Sequence, residues 1–268
     1  VSPEQGTAGS ANSLTVKIQA HQTDVKRVGV VTIQTINSKK NVFTLKINQE
    51  SQKKIDVDDE NPNAPSGMKL NATGLVKKIT VGWNLGNTCE SGIWDGWSGD
   101  DLDIETEWGN PKTTKEMITA IKNAGFNAVR IPTRWCVHAD DNLTINGRWM
   151  ARMKEIVDYA ISQDMYVVLN SHHDNWYDRL PVGYDEQEIT KKFTNMWTQI
   201  ATYFKDYDEH LIFAGANEII KLKADGTEDW GAPTKANIVL ANGLMQAFVN
   251  SVRATGGNNE WRCLMVQP

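Results

Sequence analysis

The residues of this chain that are best suited to catalysis follow short apolar segments. Glu218 comes directly after Asn217, at the end of the apolar segment 211–216. A carboxyl group at the end of a buried strand can act as a general acid, and an amide beside it can bind a polar substrate. Chemistry of this kind normally calls for a second carboxylate close to the first. The sequence therefore raises the question of which residue is that partner.

Polar side chains also end three earlier apolar segments. Asn84, Arg130 and the pair His172 and His173 each lie at or just after such a segment. A single arginine or histidine in this position more often has a structural role as an ion-pair or hydrogen-bond partner. In a barrel of parallel strands, however, the carboxyl ends of the strands meet at one face, where active sites lie. Four consecutive strand ends with polar side chains therefore favour one shared site.

The composition is that of a globular protein with an uncharged ligand. Of the 268 residues, 40% are hydrophobic and 23% are charged, and the formal net charge is −5. No apolar segment approaches the roughly 18 residues of a membrane span, and the dispersed basic residues argue against nucleic acid as a partner. Three widely spaced cysteines indicate neither a disulfide framework nor a zinc site, and we expect no metal and no cofactor. Ten tryptophans, several in predicted loops, suit the binding of sugar rings.

The pattern of residues 1–50 is that of a small all-β unit. Apolar and polar residues alternate with a period of two in segments 14–18, 28–33 and 42–47, which predicts three antiparallel strands. An independent sandwich usually has about seven strands, so we expect only part of a β-sandwich here. Residues 51–67 are polar and show no period, which indicates a linker.

From residue 68 to residue 268, predicted strands and helices alternate. The strands are expected at 79–84, 127–132, 165–170, 211–216 and 262–266, and the helices at 114–123, 148–162, 187–207 and 235–254. Such βα alternation predicts parallel strands joined by right-handed crossovers, which is the α/β class. A complete (β/α)8 barrel has eight strands, and this pattern accounts for about five.

Five motifs in this region together resemble glycoside hydrolase family five, the endoglucanase type. They are GWNLGNT at 82–88, WGNP at 108–111, VRIP at 129–132, LNSHHD at 169–174 and Asn-Glu at 217–218. Their order and spacing match the family over about residues 68–268. Residues 1–50 more weakly resemble the C-terminal part of a BACON domain, an immunoglobulin-like β-sandwich.

The resemblance implies a (β/α)8 TIM barrel that hydrolyses β-1,4-glucans with retention of configuration. Glu218 matches the general acid/base of the family, and we expect a semi-enclosed barrel mouth to raise the pKa of its carboxyl group. Asn217 matches the amide that binds the sugar 2-hydroxyl, and Arg130 matches the arginine that keeps the nucleophile ionised. The further substrate-binding residues implied are Asn84, His172, His173, Trp108 and Trp176.

The sequence departs from the family pattern in three respects. Ile219 stands where the family usually has proline, and Ala214 where many relatives have glutamate. The third departure is more serious, because the family's nucleophile lies on the seventh strand and the pattern ends after five. We therefore expect an incomplete barrel that is inactive by itself, with a complementary C-terminal segment or another chain covering its open edge.

Other acids in the predicted loops are poor substitutes for the nucleophile. They are Glu90, Asp95, Glu107 and Asp174. A retaining mechanism holds its two carboxyl groups about 5–5.5 Å apart, which a loop acid seldom achieves. We expect Asp174 to orient one of the neighbouring histidines.

Two alternatives remain open at the level of sequence. The chain could be a truncated barrel that binds glucan without hydrolysing it, or it could use the same chemistry on xyloglucan, mannan or xylan, because fold and catalytic residues do not determine the substrate. The resemblance also implies a secreted, periplasmic or cell-surface protein.

Overall fold

A computed structural model describes the protein in five stretches of chain. They are residues 27–34, 42–49, 59–92, 102–140 and 142–267. The chain divides into two compact units, Val1–Val57 and Asp58–Pro268.

The first unit contains an antiparallel pair of strands, β1 (Arg27–Gln34) and β2 (Val42–Gln49). Arg27 lies opposite Gln49, and Gln34 lies opposite Val42. These strands correspond to two of the three that the alternating pattern predicts. The third, at 14–18, falls outside the described residues, so the partial β-sandwich stays a prediction.

The second unit alternates strands and helices. The strands are β3 (Gly82–Asn84), β4 (Ala128–Ile131), β5 (Tyr166–Asn170), β6 (Arg179–Leu180), β7 (Leu211–Ala214), β8 (Ile220–Leu222), β9 (Glu228–Asp229) and β10 (Leu264–Met265). The α-helices are α1 (Ala72–Lys78), α2 (Lys115–Asn123), α3 (Gly147–Ile161), α4 (Asn175–Asp178), α5 (Glu186–Tyr203) and α6 (Lys235–Ala254). Short 3-10 helices lie at Asp103–Thr106, Cys136–His138 and Gly257–Glu260.

Five of these strands form one parallel sheet in the order β3, β4, β5, β7, β10. The prediction of five parallel strands linked by helices is therefore confirmed. The first strand is shorter than expected, because the backbone N–H groups of Thr80 and Val81 donate to Asn127 Oδ1 at 2.9 and 3.3 Å instead of to a neighbouring strand.

The helices begin at residues whose side chains cap them. Thr114 Oγ1 accepts from Met117 N at 3.3 Å at the start of α2, and Thr234 and Asn237 form a reciprocal capping box at the start of α6. Helix α6 has the predicted bounds. Helix α5 ends at Tyr203, four residues before its predicted end, because the chain turns there to enter β7. Among the described residues, none of the helices combines the length and apolar content that a membrane crossing requires.

The two faces of the parallel sheet differ in character. Alternate strand residues point to the same face, and on one face they are wholly buried against the helices. These residues are Val129, Ile131, Val167, Leu169, Leu211 and Phe213. The opposite face carries Arg130 and Asn170 at the carboxyl ends of β4 and β5. One face of the sheet is thus wholly apolar, while the other carries these polar residues together with buried apolar ones such as Ile212.

Three features of the second unit have no counterpart in the predicted elements. Helix α1 precedes β3, helix α4 follows the histidine pair, and a small second sheet joins β6, β8 and β9. In addition, residues 59–67, which the sequence assigns to a linker, lie with the second unit. Ala64 is buried there, and Gly67 O accepts from Glu209 N at 2.8 Å.

Candidate active site

Arg130, at the carboxyl end of β4, connects the polar side chains of three other strand ends. Its Nη1 donates to Asn84 Oδ1 at 2.8 Å, and its Nη2 donates to Asn217 Oδ1 at 2.9 Å. The same Nη2 lies 3.3 Å from His172 Nδ1. Burial lowers the pKa of Arg130, while the charges of Glu90 and Glu218 oppose that shift. The structure therefore brings together Asn84, Arg130, His172 and Asn217 as the strand pattern predicts.

The protonation state of His172 follows from its two neighbours. Arg130 Nη2 and Asn170 Nδ2 both lie 3.3 Å from Nδ1, and both are donors. Nδ1 is consequently the acceptor, and the ring proton of the neutral imidazole lies on Nε2. Burial, followed by the charges of His173 and Arg130, lowers the pKa of His172 to about 3. His172 is thus a neutral side chain with one N–H available to a ligand.

Asn217 and Glu218 follow β7 after Gly215, which lies close to helix α6. A Cβ at this position would lie 2.8 Å from Phe248 Cδ1, so only glycine fits against helix α6. The carbonyl of Gly215 accepts from Trp197 Nε1 at 2.9 Å, which ties this backbone to helix α5. The backbone is thus held by the core at Gly215, and Glu218, three residues further on, is exposed beyond the carboxyl end of β7.

His173 occupies a backbone conformation that few non-glycine residues adopt. Its φ is 56°, in the left-handed region. The ring lies edge-on to His172, with centroids 4.3 Å apart, and edge-on to Trp108 at 5.7 Å. Burial lowers its pKa to about 4. The structure thus places two of the predicted sugar contacts, His173 and Trp108, beside the arginine cluster.

Trp176 lies elsewhere than the other predicted substrate contacts. Its ring packs edge-on against Tyr177 at 4.9 Å and Phe193 at 6.3 Å, as part of the boundary of the hydrophobic core. It is half-buried on helix α4 and has no described contact with the arginine cluster. A role in substrate binding remains a prediction for Trp176.

The acids considered as substitutes for the nucleophile differ in their surroundings. Glu90 is buried and accepts from Asn87 N at 2.6 Å and from Thr88 N at 2.9 Å, which braces the loop after β3. Glu107 is exposed on the loop after Asp103–Thr106, and Asp95 lies outside the described residues.

The expectation that Asp174 orients a histidine is wrong. Its carboxylate is fully buried and accepts from Trp135 N at 2.8 Å, from Cys136 N at 2.6 Å and from Ser171 Oγ. Burial raises its pKa, and these hydrogen bonds oppose the rise. Asp174 therefore ties the loop after β5 to the loop after β4, a contact that a sequence pattern cannot reveal.

Sequence reasoning did not assign a site role to Asn170 or to Arg179. Asn170 is the last residue of β5 and contacts His172, so its place at a strand end was the available signal. Arg179 Nη1 donates to the backbone carbonyl of Glu218 at 3.3 Å across 39 residues, and no local pattern indicates that contact. In the part of the chain that the structure describes, no group of three or more His, Cys, Asp or Glu residues could hold a metal ion.

Comparison with known proteins identifies the family. Residues 91–268 match the model of the cellulase family, glycosyl hydrolase family 5. This chain belongs to glycosyl hydrolase family 5. The family has the (β/α)8 TIM-barrel fold, and the five parallel strands described above are consistent with it.

Several members of the family with known functions resemble this chain. Endoglucanase A of Clostridium longisporum is 44% identical over 198 residues, which are 73% of this chain and 37% of that protein. A xyloglucan-specific endo-β-1,4-glucanase of Bacteroides ovatus is 34% identical over 256 residues, 94% of this chain and 49% of that protein. The homologues support a glycoside hydrolase.

Solved structures of family 5 endoglucanases also superpose on the chain. A broad specificity endoglucanase from Ruminococcus champanellensis with bound cellotriose is 42% identical with a TM-score of 0.68, covering 74% of this chain and 57% of that one. One from Ruminococcus flavefaciens is 47% identical with a TM-score of 0.66, covering 71% and 54%. The chain thus spans about half the length of these structures and between about a third and a half of the relatives named above.

Proposed function

We propose that this chain carries the acid/base half of a retaining endo-β-1,4-glucanase. The observation that supports the proposal most directly is the hydrogen-bonded group of Asn84, Arg130, His172 and Asn217 immediately beside Glu218. We propose a β-1,4-glucan as the substrate class because relatives of this chain are endoglucanases.

In this proposal Glu218 handles the proton at both steps. It gives its proton to the glycosidic oxygen as the bond from that oxygen to the anomeric carbon breaks, and a carboxylate nucleophile forms an ester with the same carbon. A water molecule then attacks the anomeric carbon, Glu218 takes its proton, and the nucleophile leaves. By the family pattern the nucleophile belongs to a seventh strand, beyond the five described here, so a C-terminal segment or another chain would supply it.

The other side chains orient the sugar. Because Arg130 donates to Asn217 Oδ1, the amide is fixed with its Nδ2 donors available to a sugar hydroxyl. His172 offers its Nε2 proton in the same way. Both are neutral donors, which suits an uncharged polysaccharide.

The substitution Glu218→Gln tests the assignment in the full-length protein. The amide cannot transfer a proton, so we expect release of reducing sugar from carboxymethylcellulose to fall by about 10³-fold or more. Binding of cellohexaose, followed by calorimetry, is expected to change little because the side chain keeps its shape. Retained turnover would remove Glu218 from this role.

Glu107→Gln is the matched control, because Glu107 is another exposed glutamate of the loops. Its turnover is expected to equal that of the wild type. Loss of activity in this variant instead of in Glu218→Gln would transfer the role to Glu107. Azide should restore cleavage of an activated aryl glycoside by Glu218→Ala, since it attacks the glycosyl ester without needing a general base.

A second substrate deserves a direct test because of one relative. The xyloglucan-specific enzyme of Bacteroides ovatus aligns with 94% of this chain. We propose measuring the release of reducing sugar from xyloglucan, mannan and xylan, with carboxymethylcellulose as the reference substrate. The family resemblance also leads us to propose a secreted, periplasmic or cell-surface location, which fractionation of the producing cells would test.

A further inference from the structure

A buried carboxyl group without a hydrogen-bond partner lies close to the segment that carries the proposed acid/base. Asp178 is the last residue of helix α4, and its side chain has no exposed surface. Among the described residues, neither of its oxygens accepts a hydrogen bond. Burial without a partner costs a charged carboxylate far more than it costs the neutral acid. The ionised form of Asp178 therefore attracts a neighbouring cation much more strongly than the protonated form does.

The guanidinium of Arg179 lies between Asp178 and the backbone of Glu218. Its Nη1 is 3.8 Å from Asp178 Oδ2, which is within ion-pair distance but too far for a hydrogen bond. The same Nη1 donates to the carbonyl of Asp178 at 3.1 Å and to the carbonyl of Glu218 at 3.3 Å. Because Nη1 bears two hydrogen atoms, both are already directed at backbone carbonyls. A hydrogen bond to the carboxylate of Asp178 therefore requires that one of these two be given up.

The hydrogen bond to Glu218 is the one that Arg179 gives up at the lower cost. It is the longer of the two, and Glu218 is exposed, so water can replace the lost donor. A buried carboxylate has no such replacement, and it gains an ion pair in a region of low dielectric. On its other side the guanidinium is fixed by Nε, which donates to Glu228 Oε1 at 2.5 Å. A small rotation about this contact is sufficient to move Nη1 from the carbonyl of Glu218 towards Asp178.

The small second sheet limits the effect of such a rotation to the acid/base itself. Strand β6 pairs with β8, so that Arg179 lies opposite Ile220, two residues after Glu218. Strand β9 pairs antiparallel with β8, so that Glu228 lies opposite Leu222. Glu218 precedes β8 and lies outside this ladder. Loss of the hydrogen bond from Arg179 therefore loosens Glu218 while the strands beyond it stay paired.

Charged and titratable groups face Asp178 from the elements packed around it. They are Asp174 after β5, Arg134 after β4, Arg179 on β6, Glu228 on β9 and Tyr177 on α4 itself. Helix α5 meets α4 through the ring of Phe193, whose centroid lies 4.9 Å from that of Tyr177, so this contact is apolar. Burial keeps three titratable neighbours uncharged near neutral pH, because it raises the pKa of Tyr177 and Cys136 and lowers that of His173 to about 4.

Asp178 keeps its proton to a higher pH than an ordinary carboxyl group does. Asp174 accepts hydrogen bonds from Trp135 N, Cys136 N and Ser171 Oγ, which favour its ionised form, whereas Asp178 accepts none among the described residues. Burial, and then the charge of Asp174, raises the pKa of Asp178 to about 7, and the two arginines oppose the rise. A change of charge near neutral pH therefore falls on Asp178.

From this geometry we infer that Asp178 and Arg179 are a pH-sensitive pair of positioning residues for the acid/base. While Asp178 is protonated, Arg179 holds the carbonyl of Glu218. When Asp178 ionises, its proton passes to solvent, the guanidinium turns to the buried carboxylate, and the carbonyl is released. The inference rests on the proposed function, because it concerns the residue that would protonate the glycosidic oxygen. It predicts a loss of turnover at alkaline pH that originates outside the reacting groups.

The first test compares Asp178→Asn with the wild type in the full-length protein, with cellohexaose as substrate. The amide keeps the shape of the side chain and cannot ionise, so Arg179 stays on Glu218 at every pH. We expect the ratio of the kcat of the variant to that of the wild type to rise about tenfold between about pH 5.5 and pH 8.5. The rise should begin near pH 7, and KM should not follow it, because the pair acts on Glu218 and not on the sugar. A ratio that is the same at every pH would overturn the inference.

Asp229→Asn is the matched control. Asp229 follows Glu228 in strand β9 and is exposed, so the substitution removes one acid near the site without touching the buried pair. We expect the ratio of its kcat to that of the wild type to be constant with pH. A rise equal to that of Asp178→Asn would show a general effect of lost negative charge and would contradict the inference.

The role of Arg179 is tested by combining substitutions. If Asp178 acts through Arg179, then in an Arg179→Met protein the additional change Asp178→Asn should no longer make the kcat ratio rise with pH. A tenfold rise that persists in this background would show that Asp178 acts on Glu218 directly.

Nuclear magnetic resonance tests the movement without a measurement of turnover and without a substitution at Arg179. We expect the carboxyl 13C resonance of Asp178, assigned by its absence from Asp178→Asn, to titrate near pH 7. The Nε resonance of Arg179 should shift over the same range in the wild type and should not shift there in Asp178→Asn. An Asp178 that is already ionised at about pH 5, or an Arg179 resonance that does not follow its titration, would overturn the inference.

The two levels of inference fail differently. A wild-type protein that cleaves no β-1,4-glucan would refute the proposed function, and the resonances of Asp178 and Arg179 would still decide whether the pair moves with pH. An active wild type whose kcat ratio to Asp178→Asn is constant with pH would refute only the role of the pair.

Discussion

Arg130 and Arg262 lie near opposite ends of the same parallel sheet and form hydrogen bonds with different kinds of group. Arg262 is fully buried before β10, and Arg130 is half-buried at the end of β4. Arg262 contacts mainly backbone carbonyls, whereas Arg130 contacts the side chains of Asn84, His172 and Asn217. The first arrangement consumes the donors of the guanidinium in holding the chain together. The second uses them to orient groups that a ligand can still reach.

At the amino end of the sheet the polar groups are satisfied. The guanidinium of Arg262 donates to five oxygens, which are Asn259 Oδ1 at 2.7 Å and the carbonyls of Phe204, Tyr207, Asp208 and Leu211 at 2.6–3.3 Å. It also lies over the ring of Phe213, 5.1 Å from its centroid. Burial lowers its pKa to about 10, so it remains charged at neutral pH.

At the carboxyl end several polar groups are held at a cost. His173 adopts a left-handed backbone, and burial depresses the pKa values of both histidines. Asp178 is fully buried, and among the described residues neither of its oxygens accepts a hydrogen bond; Arg179 Nη1 lies 3.8 Å from Oδ2. Strain and incomplete pairing concentrate where function is expected, because a binding site needs groups that the fold has not already satisfied.

The sharpest test of this difference replaces each arginine by methionine. Arg262→Met would remove five hydrogen bonds to buried or partly buried oxygens at once, so we expect the free energy of unfolding to fall by about 3–5 kcal/mol. Arg130→Met should change it by less than about 1 kcal/mol while lowering turnover of the full-length protein by about 100-fold. Urea denaturation and reducing-sugar release measure the two effects. Equal destabilisation by both substitutions would abolish the distinction.

The pH dependence of the free energy of unfolding tests whether the buried carboxyl group of Asp178 lacks hydrogen-bond partners. Burial, and then the charge of Asp174, raises its carboxyl pKa to about 7, compared with about 3.9 in an unfolded chain. Between these pH values the unfolded chain releases the proton and the folded chain keeps it. Rising pH therefore favours unfolding, and the cost is complete above about pH 7.

Asp178→Asn cannot ionise and so avoids that cost. We expect the variant to gain stability over the wild type as the pH rises from 4 to 8, by up to about 4 kcal/mol, an upper limit because water can enter a relaxed site. Urea denaturation at several pH values measures the difference. If the free energy of unfolding of the variant differs from that of the wild type by the same amount at pH 4 and pH 8, ionisation of Asp178 does not affect stability and this explanation is wrong.

The smallest effects are expected from the asparagine partner of each arginine. Asn259 is fully buried and donates to Ala201 O and Thr255 Oγ1 while accepting from Arg262, so Asn259→Ala should cost about 1–3 kcal/mol of stability. Asn84 is exposed, and Asn84→Ala should cost less than about 0.5 kcal/mol but lower turnover by about tenfold. Thermal denaturation and kinetics of both variants measure this. A stability loss confined to Asn84→Ala would reverse the comparison.

The sequence predicts the sheet well because its signals are local. Buried strands and capped helices leave patterns of two and about 3.6 residues, and these located the five parallel strands and the bounds of helix α6. The strand-end rule then predicts that Asn84, Arg130, His172 and Asn217 form one group, and the structure brings them together. Short elements such as α4 and β8 were missed, since two to four residues are too few to show a period.

Contacts between distant segments could not be predicted in this way. Asp174 was expected to orient a histidine, and instead it accepts backbone hydrogen bonds from Trp135 and Cys136. The hydrogen bond from Arg179 to the carbonyl of Glu218 joins residues 39 positions apart in the sequence. The local pattern around Arg179 does not predict Glu218 as its partner, and the pattern around Glu218 does not predict Arg179. Which atoms a buried polar group meets depends on how loops pack, and many arrangements of loops fit one pattern of strands.

The sequence by itself determined which residues reach the carboxyl end of the sheet, including Asn217 and Glu218, because strand direction and period fix the position of a strand end. Only the tertiary structure decided how they work together. It determines which nitrogen of His172 bears the proton, which atom of the Asn217 amide faces Arg130, and which residues contact Glu218. The physical reason is that hydrogen bonds are short and directional. A pattern can bring side chains to the same edge, but the partner of each atom is chosen by differences of about an ångström that only the packed molecule specifies.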